Sequence, residues 1–244
     1  MNSGLYAACA GLRARVQHLD LVGHNLANVN TTGFRGQQPT FSSLLALRAG
    51  APRSELNVAV NDFGVIEDSR VDLLSGNLER TGNQLDLAIE GKAFFVVQTL
   101  AGVLYTRNGS FRTSPTGQLT TSEGDAVLGE QGPITVPGGV VSISPDGTLS
   151  VGGAVAGKLK LVEFSPGAQL KAVGTSYYSS LEPMTKSTTR SYVRQGMLES
   201  SNVNAVSAAV SLIALQRHAE MLQRSLSSFH NEFNRIAAQD LPRI

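Results

Sequence analysis

The side chains that most often do chemistry are few in this chain and badly spaced for it. There are four histidines, His18, His24, His218 and His230, and one cysteine, Cys9. Two ligands or bases on one helical face want a spacing of three or four residues, and His18 and His24 are six apart. No His-Glu-x-x-His, Gly-x-Ser-x-Gly or phosphate-loop pattern occurs. A nucleophilic Cys9 would need a nearby base and partial exposure. It falls instead on an apolar seam and reads as a small buried hydrophobe. Asp86 and Glu90 flank Leu87-Ala88-Ile89 and read as strand-end or turn carboxylates rather than a hydrolytic pair. Gly138-Gly139 and Gly152-Gly153 precede no helix, so they are turns and not phosphate cradles. No catalytic, metal or cofactor residue is assigned, and no cofactor is expected.

Composition narrows the classes further. The 244 residues carry a net charge of +1, and 16% of them are charged, against a usual ~25%. Near-neutrality leaves no bulk attraction to nucleic acid or anionic membrane. A single cysteine excludes an internal disulfide framework and a cysteine-cluster zinc site. A hydrophobic fraction of 41% is too high for general disorder. No stretch approaches the ~20 apolar residues of a membrane span. The opening lacks a basic region, and Arg13 and Arg15 interrupt any apolar run, so no cleaved secretory signal is expected. The sparse charge calls for an uncharged polar surface, or for a surface covered by other subunits.

The elements that position these residues follow from glycine placement. Nineteen of the 25 glycines lie between Gly64 and Gly196, and six of the nine prolines between Pro115 and Pro183. Both residues suit turns and weaken helices. The chain therefore reads as helix, β-rich body, helix. In the N-terminal segment Leu5, Leu12, Leu19 and Leu26 are seven apart, with Cys9, Val16 and Gly23 between them, an a/d seam. The predicted helix runs from Ser3 to Asn28, ~39 Å at 1.5 Å per residue. In the C-terminal segment Ala205, Ala208, Leu212, Leu215, Ala219, Leu222, Leu226, Phe229, Phe233 and Ile236 keep the same alternation over Val203 to Ala238. A second stripe, Val203, Val206, Val210 and Ile213, runs beside it. A helix apolar on two faces needs more than one packing partner.

The middle reads as short strands and turns. Ala93 to Gln98 is an apolar run of strand length. Asn108-Gly109 sits between two strand-like runs, 103–106 and 110–113, and signals a hairpin. Ser114-Pro115-Thr116-Gly117-Gln118-Leu119 recurs as Ser144-Pro145-Asp146-Gly147-Thr148-Leu149, with a looser echo at Ser165-Pro166-Gly167. Lys158 to Phe164 alternates like one half-buried strand. Residues 49–52 look like a flexible connection. The expected fold is mainly β with α: an all-β central domain of hairpins and irregular antiparallel sheet, plus paired terminal helices in a coiled-coil-like domain. The expected boundaries are 1–35 with 200–244 for the helical domain, 36–75 for an extended linker and 76–199 for the β domain.

Several segments resemble one family. Asn25-Leu26-Ala27-Asn28-Val29-Asn30-Thr31-Thr32-Gly33-Phe34-Arg35 is similar to the N-terminal signature of the bacterial flagellar axial proteins of rod and hook, as is the opening Met1 to Tyr6. Thr81 to Gly91, Phe94 to Val97 and Tyr105 to Phe111 fit the same family. Gly196-Met197-Leu198-Glu199-Ser200-Ser201-Asn202-Val203-Asn204 and Leu212 to Arg217 resemble its second signature. Ala93 in place of a glycine, Ser207-Ala208-Ala209 in place of an acidic-Met pair and His218 in place of a tyrosine depart from it.

The resemblance implies a structural, non-catalytic subunit of the flagellar basal-body rod, exported uncleaved through the flagellar type III apparatus. It implies partners among other rod subunits, copies of the same chain and the export apparatus, with no nucleic acid and no membrane insertion. The short run from Phe41 to Gly82 favours the proximal rod protein over a distal rod or hook-type subunit. A β-rich extracellular binding module or adhesin is the alternative of another class. The expected assembly interface comprises Leu5, Cys9, Leu12, Val16, Leu19 and Leu26 on the first helix. On the second it comprises Val206, Val210, Leu212, Ile213, Leu215, Leu222 and Leu226. Asn25, Asn28, Asn202 and Asn204 are expected to fix turns at the helix ends and give polar contacts.

Overall fold

Residues 197–240 contain neither glycine nor proline, and most of that stretch is one helix. α1 spans Asn2–Ala27 and α2 spans Ala205–Asp240. The computed structural model describes residues 2–42, 65–165, 168–180, 185–186 and 191–240. The connection expected at 49–52 and most of the Ser165-Pro166-Gly167 echo lie outside them, as do the side chains of Leu5, Phe229, His230, Phe233 and Ile236.

Between the helices the strands follow as β1 (Gln37–Ser42), β2 (Val65–Val71), β3 (Leu78–Arg80), β4 (Leu87–Glu90), β5 (Phe94–Thr99), β6 (Gly102–Thr106) and β7 (Phe111–Thr113). Next come β8 (Leu119–Thr121), β9 (Ala126–Gly129), β10 (Gly132–Pro133), β11 (Val141–Ile143), β12 (Thr148–Val151) and β13 (Ala154–Lys158). The last are β14 (Leu161–Glu163), β15 (Leu170–Val173), β16 (Tyr177–Ser180), β17 (Thr185–Lys186), β18 (Tyr192–Gln195) and β19 (Met197–Glu199). The protein is mainly β with two helices.

The chain forms two units. One comprises Met1–Leu26, Gln37–Ser69 and Asn204–Ile244; the other comprises Ala27–Gly36 and Arg70–Val203. In the helical unit, the buried line of α1 runs through Gly11, Ala14 and Val22, while Leu12, Leu19 and Leu26 are half-buried. Cys9 and Val16 are exposed, which corrects the reading of Cys9 as a buried hydrophobe. A seven-residue repeat sets a period but leaves its facing direction open, and here small residues face inward. On α2, Leu215 is buried and Ala208, Leu212, Ala219, Leu222 and Leu226 are half-buried, in steps of four and three.

The β unit is organised around β5. The main sheet runs β15-β16-β6-β5-β9-β8-β7, with β14 also paired to β5 and to β17, and β10 to β9. β5 is apolar without alternation because both of its faces are covered. Phe95 and Val97 belong to one buried cluster with Leu87, Leu119, Val127 and Leu149. Phe94 and Val96 belong to another with Tyr105, Val162 and Tyr178. β11-β12-β13, β18-β4 and β19-β3 complete the unit.

The repeated Ser-Pro-x-Gly motif makes the same turn twice. Ser114 N–H donates to Gln118 O (2.8 Å) and Gly117 N–H to Ser114 O (2.9 Å); Ser144 N–H donates to Thr148 O (2.9 Å) and Gly147 N–H to Ser144 O (2.9 Å). The two glycines have φ of 78° and 84°, the left-handed region that excludes most side chains.

Two strand expectations are corrected. Lys158 to Phe164 is not one strand, because the chain changes partner: β13 pairs with β12, and β14 with β5 and β17. Asn108-Gly109 does not close a hairpin. β6 pairs with β5 and β16, and β7 with β8. Gly109 is needed for close approach instead: a Cβ there would overlap the carbonyl of Leu87, whose N–H donates to Gly109 O at 3.0 Å. Turn chemistry and close packing both select glycine, so the dipeptide alone does not separate them. Gly109→Ala is expected to lower the unfolding free energy by about 2–4 kcal/mol through forced overlap. Gly138→Ala, where a Cβ meets nothing within 4 Å, should change it by less than about 0.5 kcal/mol. Urea denaturation of the two variants checks the contrast.

Candidate functional site

The two signature segments meet inside the β unit. After α1, two successive turns reverse the chain: Thr31 N–H donates to Asn28 O (3.1 Å) and Phe34 N–H to Thr31 O (3.2 Å). Gly33 then packs against the backbone of Arg107 and Asn108 at φ 69°, where a Cβ would clash. Its N–H donates to Glu199 O (2.7 Å), and Asn202 N–H donates to Phe34 O (3.3 Å). Residues 33–36 and 199–202 are therefore tied together by their main chains.

A buried charge cluster holds this junction. Arg35, Arg107 and Glu199 are each no more than 1% exposed. Glu199 Oε1 lies 2.6 Å from Arg35 Nη2 and Oε2 lies 3.1 Å from Arg107 Nη1. Oε1 also accepts the Gly76 N–H at 2.9 Å. Arg107 donates to Ile89 O (3.2 Å) and Gly91 O (2.6 Å), and its guanidinium carbon sits 4.8 Å over the Phe94 ring. Arg35 donates to Leu74 O, and its main-chain N–H donates to the Tyr178 phenol at 2.9 Å. Burial pulls Arg107 down to about 10, while the Glu199 charge pulls it back up and Arg35 lowers it further. Burial pushes the Tyr178 phenol up to about 12, against the opposing hydrogen bond and charge of Arg35. At neutral pH Arg107 is therefore a cation and Tyr178 a neutral phenol.

Asparagines finish the segment. Asn202 Oδ1 accepts the Gly36 N–H (2.8 Å), and its Nδ2 donates to Asp72 O (3.2 Å) and Leu74 O (3.0 Å). Within the helical unit, Asn25 and Gln37 exchange two bonds of 2.8 Å each, Nδ2 to O and N–H to Oδ1. Asn204 caps α2 by accepting the Ser207 N–H (2.9 Å), as an N-cap residue does. Asn28 is buried and accepts the Thr31 hydroxyl at 3.1 Å. Each asparagine thus satisfies backbone or side-chain groups of its own chain.

The remaining sequence-picked residues divide by exposure. Leu12, Leu19, Leu26, Leu212, Leu222 and Leu226 are half-buried and Leu215 is buried. Cys9 and Val16 are exposed, and so are Val206, Val210 and Ile213, at 74%, 62% and 53%. Asp86 is buried, forms an isolated β-bridge with Ser110, and its carboxylate accepts from Asn83 Nδ2 (3.1 Å), while Glu90 forms a half-exposed ion pair with Arg194 (2.7 Å). Among the described residues no group of three His, Cys, Asp or Glu could hold a metal. Likewise, no helix there is long and apolar enough to cross a membrane.

Sequence reasoning did not single out Arg35, Arg107 or Glu199. The available signal was a charge kept inside each of three charge-poor motifs, Thr31 to Arg35, Tyr105 to Phe111 and Gly196 to Asn204. Removing one member of a buried ion cluster strands the others. Glu199→Ala is expected to cost about 3–5 kcal/mol of stability in urea denaturation, whereas Glu90→Ala, at the half-exposed pair with Arg194, should cost about 0–1 kcal/mol.

Three family models match the chain: "Flagella basal body rod protein" over residues 5–35, "Flagellar hook protein FlgE/F/G D1 domain" over 88–151, and "Flagellar basal body rod FlgEFG protein C-terminal" over 194–237. The chain is 34% identical to the flagellar basal-body rod protein FlgF of Escherichia coli (strain K12), over 96% of this chain and 97% of that protein. It is 32% identical to the FlgF of Caulobacter vibrioides over the whole of both chains. It is 30% identical to the flagellar basal-body rod protein FlgG of Agrobacterium fabrum over 92% of this chain and 94% of that protein.

Proposed function

The chain belongs to the flagellar basal-body rod protein family, and from that premise we propose that its terminal helices build the rod contacts of a proximal rod subunit. Members of this family are structural. The chain is a structural subunit of the basal-body rod, resides in the basal body, is not an enzyme, and assembles with other flagellar axial proteins.

The finer reading rests on one observation. α2 has two apolar faces, and one of them stands exposed among the described residues. The stripe of Ala208, Leu212, Leu215, Ala219 and Leu222 is half-buried or buried, while Val206, Val210 and Ile213 stand exposed. No charged residue occurs from Ser200 to Gln216. Burying such a face yields roughly 25 cal/mol per Å², and an uncharged face loses no ion hydration on docking. Heterologous contacts that do not close into a ring generate a helical filament. In this reading α1 and α2 pair as a coiled coil within the helical unit.

The interface is assigned to the α2 stripe together with Leu5, Cys9, Leu12, Val16, Leu19 and Leu26 of α1, against other rod subunits and copies of the same chain. Cys9 and Val16, exposed on α1, are available to a neighbour. Delivery is assigned to the flagellar export apparatus. The short run between Phe41 and Gly82 supports the proximal position.

The test separates assembly from folding. Val210→Asp combined with Ile213→Asp changes only exposed side chains, so the purified variant should keep its stability within about 0.5 kcal/mol per site. Cells carrying it as their sole copy should lack complete rods and fail to swim. Normal motility would overturn the assignment of this face.

A further inference from the structure

We propose that Glu199 is a folding gate: the β unit cannot close its core until the C-terminal junction supplies this carboxylate to the two buried guanidiniums. The inference does not depend on the rod reading.

Most of the sheet is local. β5 pairs with β6 across the tight Thr99–Gly102 connection, β7 with β8, β8 with β9, and β11 with β12 and then β13. Hairpins of this kind form in roughly 1–10 μs. Left to themselves these hairpins would form before the distant partners β14, β16, β18 and β19 arrived. Arg107 stands in the way. It follows β6 directly, after the wholly buried Thr106, and closing the sheet around β6 takes its guanidinium out of water.

The local sheet supplies its hydrogen-bond acceptors, Ile89 O and Gly91 O, and the face of Phe94. It does not supply the counter-charge. Glu199 lies 92 residues further along the chain. Arg35, from the opposite end, adds a second cation that shares the single carboxylate of Glu199. Burying a cation without a partner is strongly unfavourable. Core closure is thereby coupled to a contact across 92 residues of chain, whose loop-closure cost makes it later than the local hairpins. In a chain made from its N-terminus, the β unit then stays open until residue 199 is present. This avoids a closed body that leaves residues 33–36 without their hydrogen-bond partners at 199–202.

Pulsed hydrogen exchange during refolding of the intact chain from urea tests the gate. Val97 and Tyr105 report the sheet, and the amides of Gly33, Gly76 and Asn202 report the junction. All five are expected to gain protection in one phase. Sheet protection that precedes junction protection by tenfold or more would overturn the gate. Glu199→Gln should slow the common phase at least tenfold, and an unchanged rate would also overturn it. Where Glu199→Gln does not reach a folded state, the triple variant Arg35→Met, Arg107→Met, Glu199→Met decides. With the charges gone, its sheet amides should be protected at least tenfold sooner than in the natural chain. A sheet that still waits for the junction would contradict the proposal.

Discussion

One carboxylate between two guanidiniums, all three out of contact with water, organises the β unit. Glu199 comes from the C-terminal signature, Arg35 from the N-terminal signature and Arg107 from the end of β6. An isolated charge in that interior would be untenable, so the three residues enforce one another. Their remaining bonds spread the constraint further. Through Gly76 and Leu74 they hold the segment before β3, through Ile89 and Gly91 they hold β4 and the turn after it, and through Tyr178 they reach β16.

The consequence for a rod subunit lies in where this junction sits. The chain passes between its two units at residues 26–27, 36–37, 69–70 and 203–204. Immediately inside those points, residues 33–36 and 199–202 are bonded to each other and locked to the sheet. The first turns of α2 carry no charge from Ser200 to Gln216.

Much of this architecture was legible in the residues. The seven-residue period marked both helices, whose observed bounds lie within two residues of those expected. The apolar run at Ala93 to Gln98 marked β5, and the Ser-Pro-x-Gly repeats marked two real turns. What escaped has physical reasons. Periodicity does not say which side of α1 faces inward, so Cys9 and Val16 were placed on a buried seam and are exposed. Asn108-Gly109 carries the strongest of hairpin signals, yet its glycine answers to the carbonyl of Leu87. The charge cluster escaped because a lone arginine or glutamate in a motif looks like surface. Only the fold brings residues 35, 107 and 199 together, and nothing in their local spacing announces it.

Native-state hydrogen exchange on the intact chain tests the central claim most directly. If the Arg35–Glu199–Arg107 cluster is the joint on which the β unit depends, the amides of Gly33, Gly76 and Asn202 should exchange only through global unfolding of that unit, with the same free energy as the amides of β5 and β6. Exchange of the three junction amides by local opening, while β5 and β6 stay protected, would contradict it. The cluster would then be an appendage to a body that stands without it.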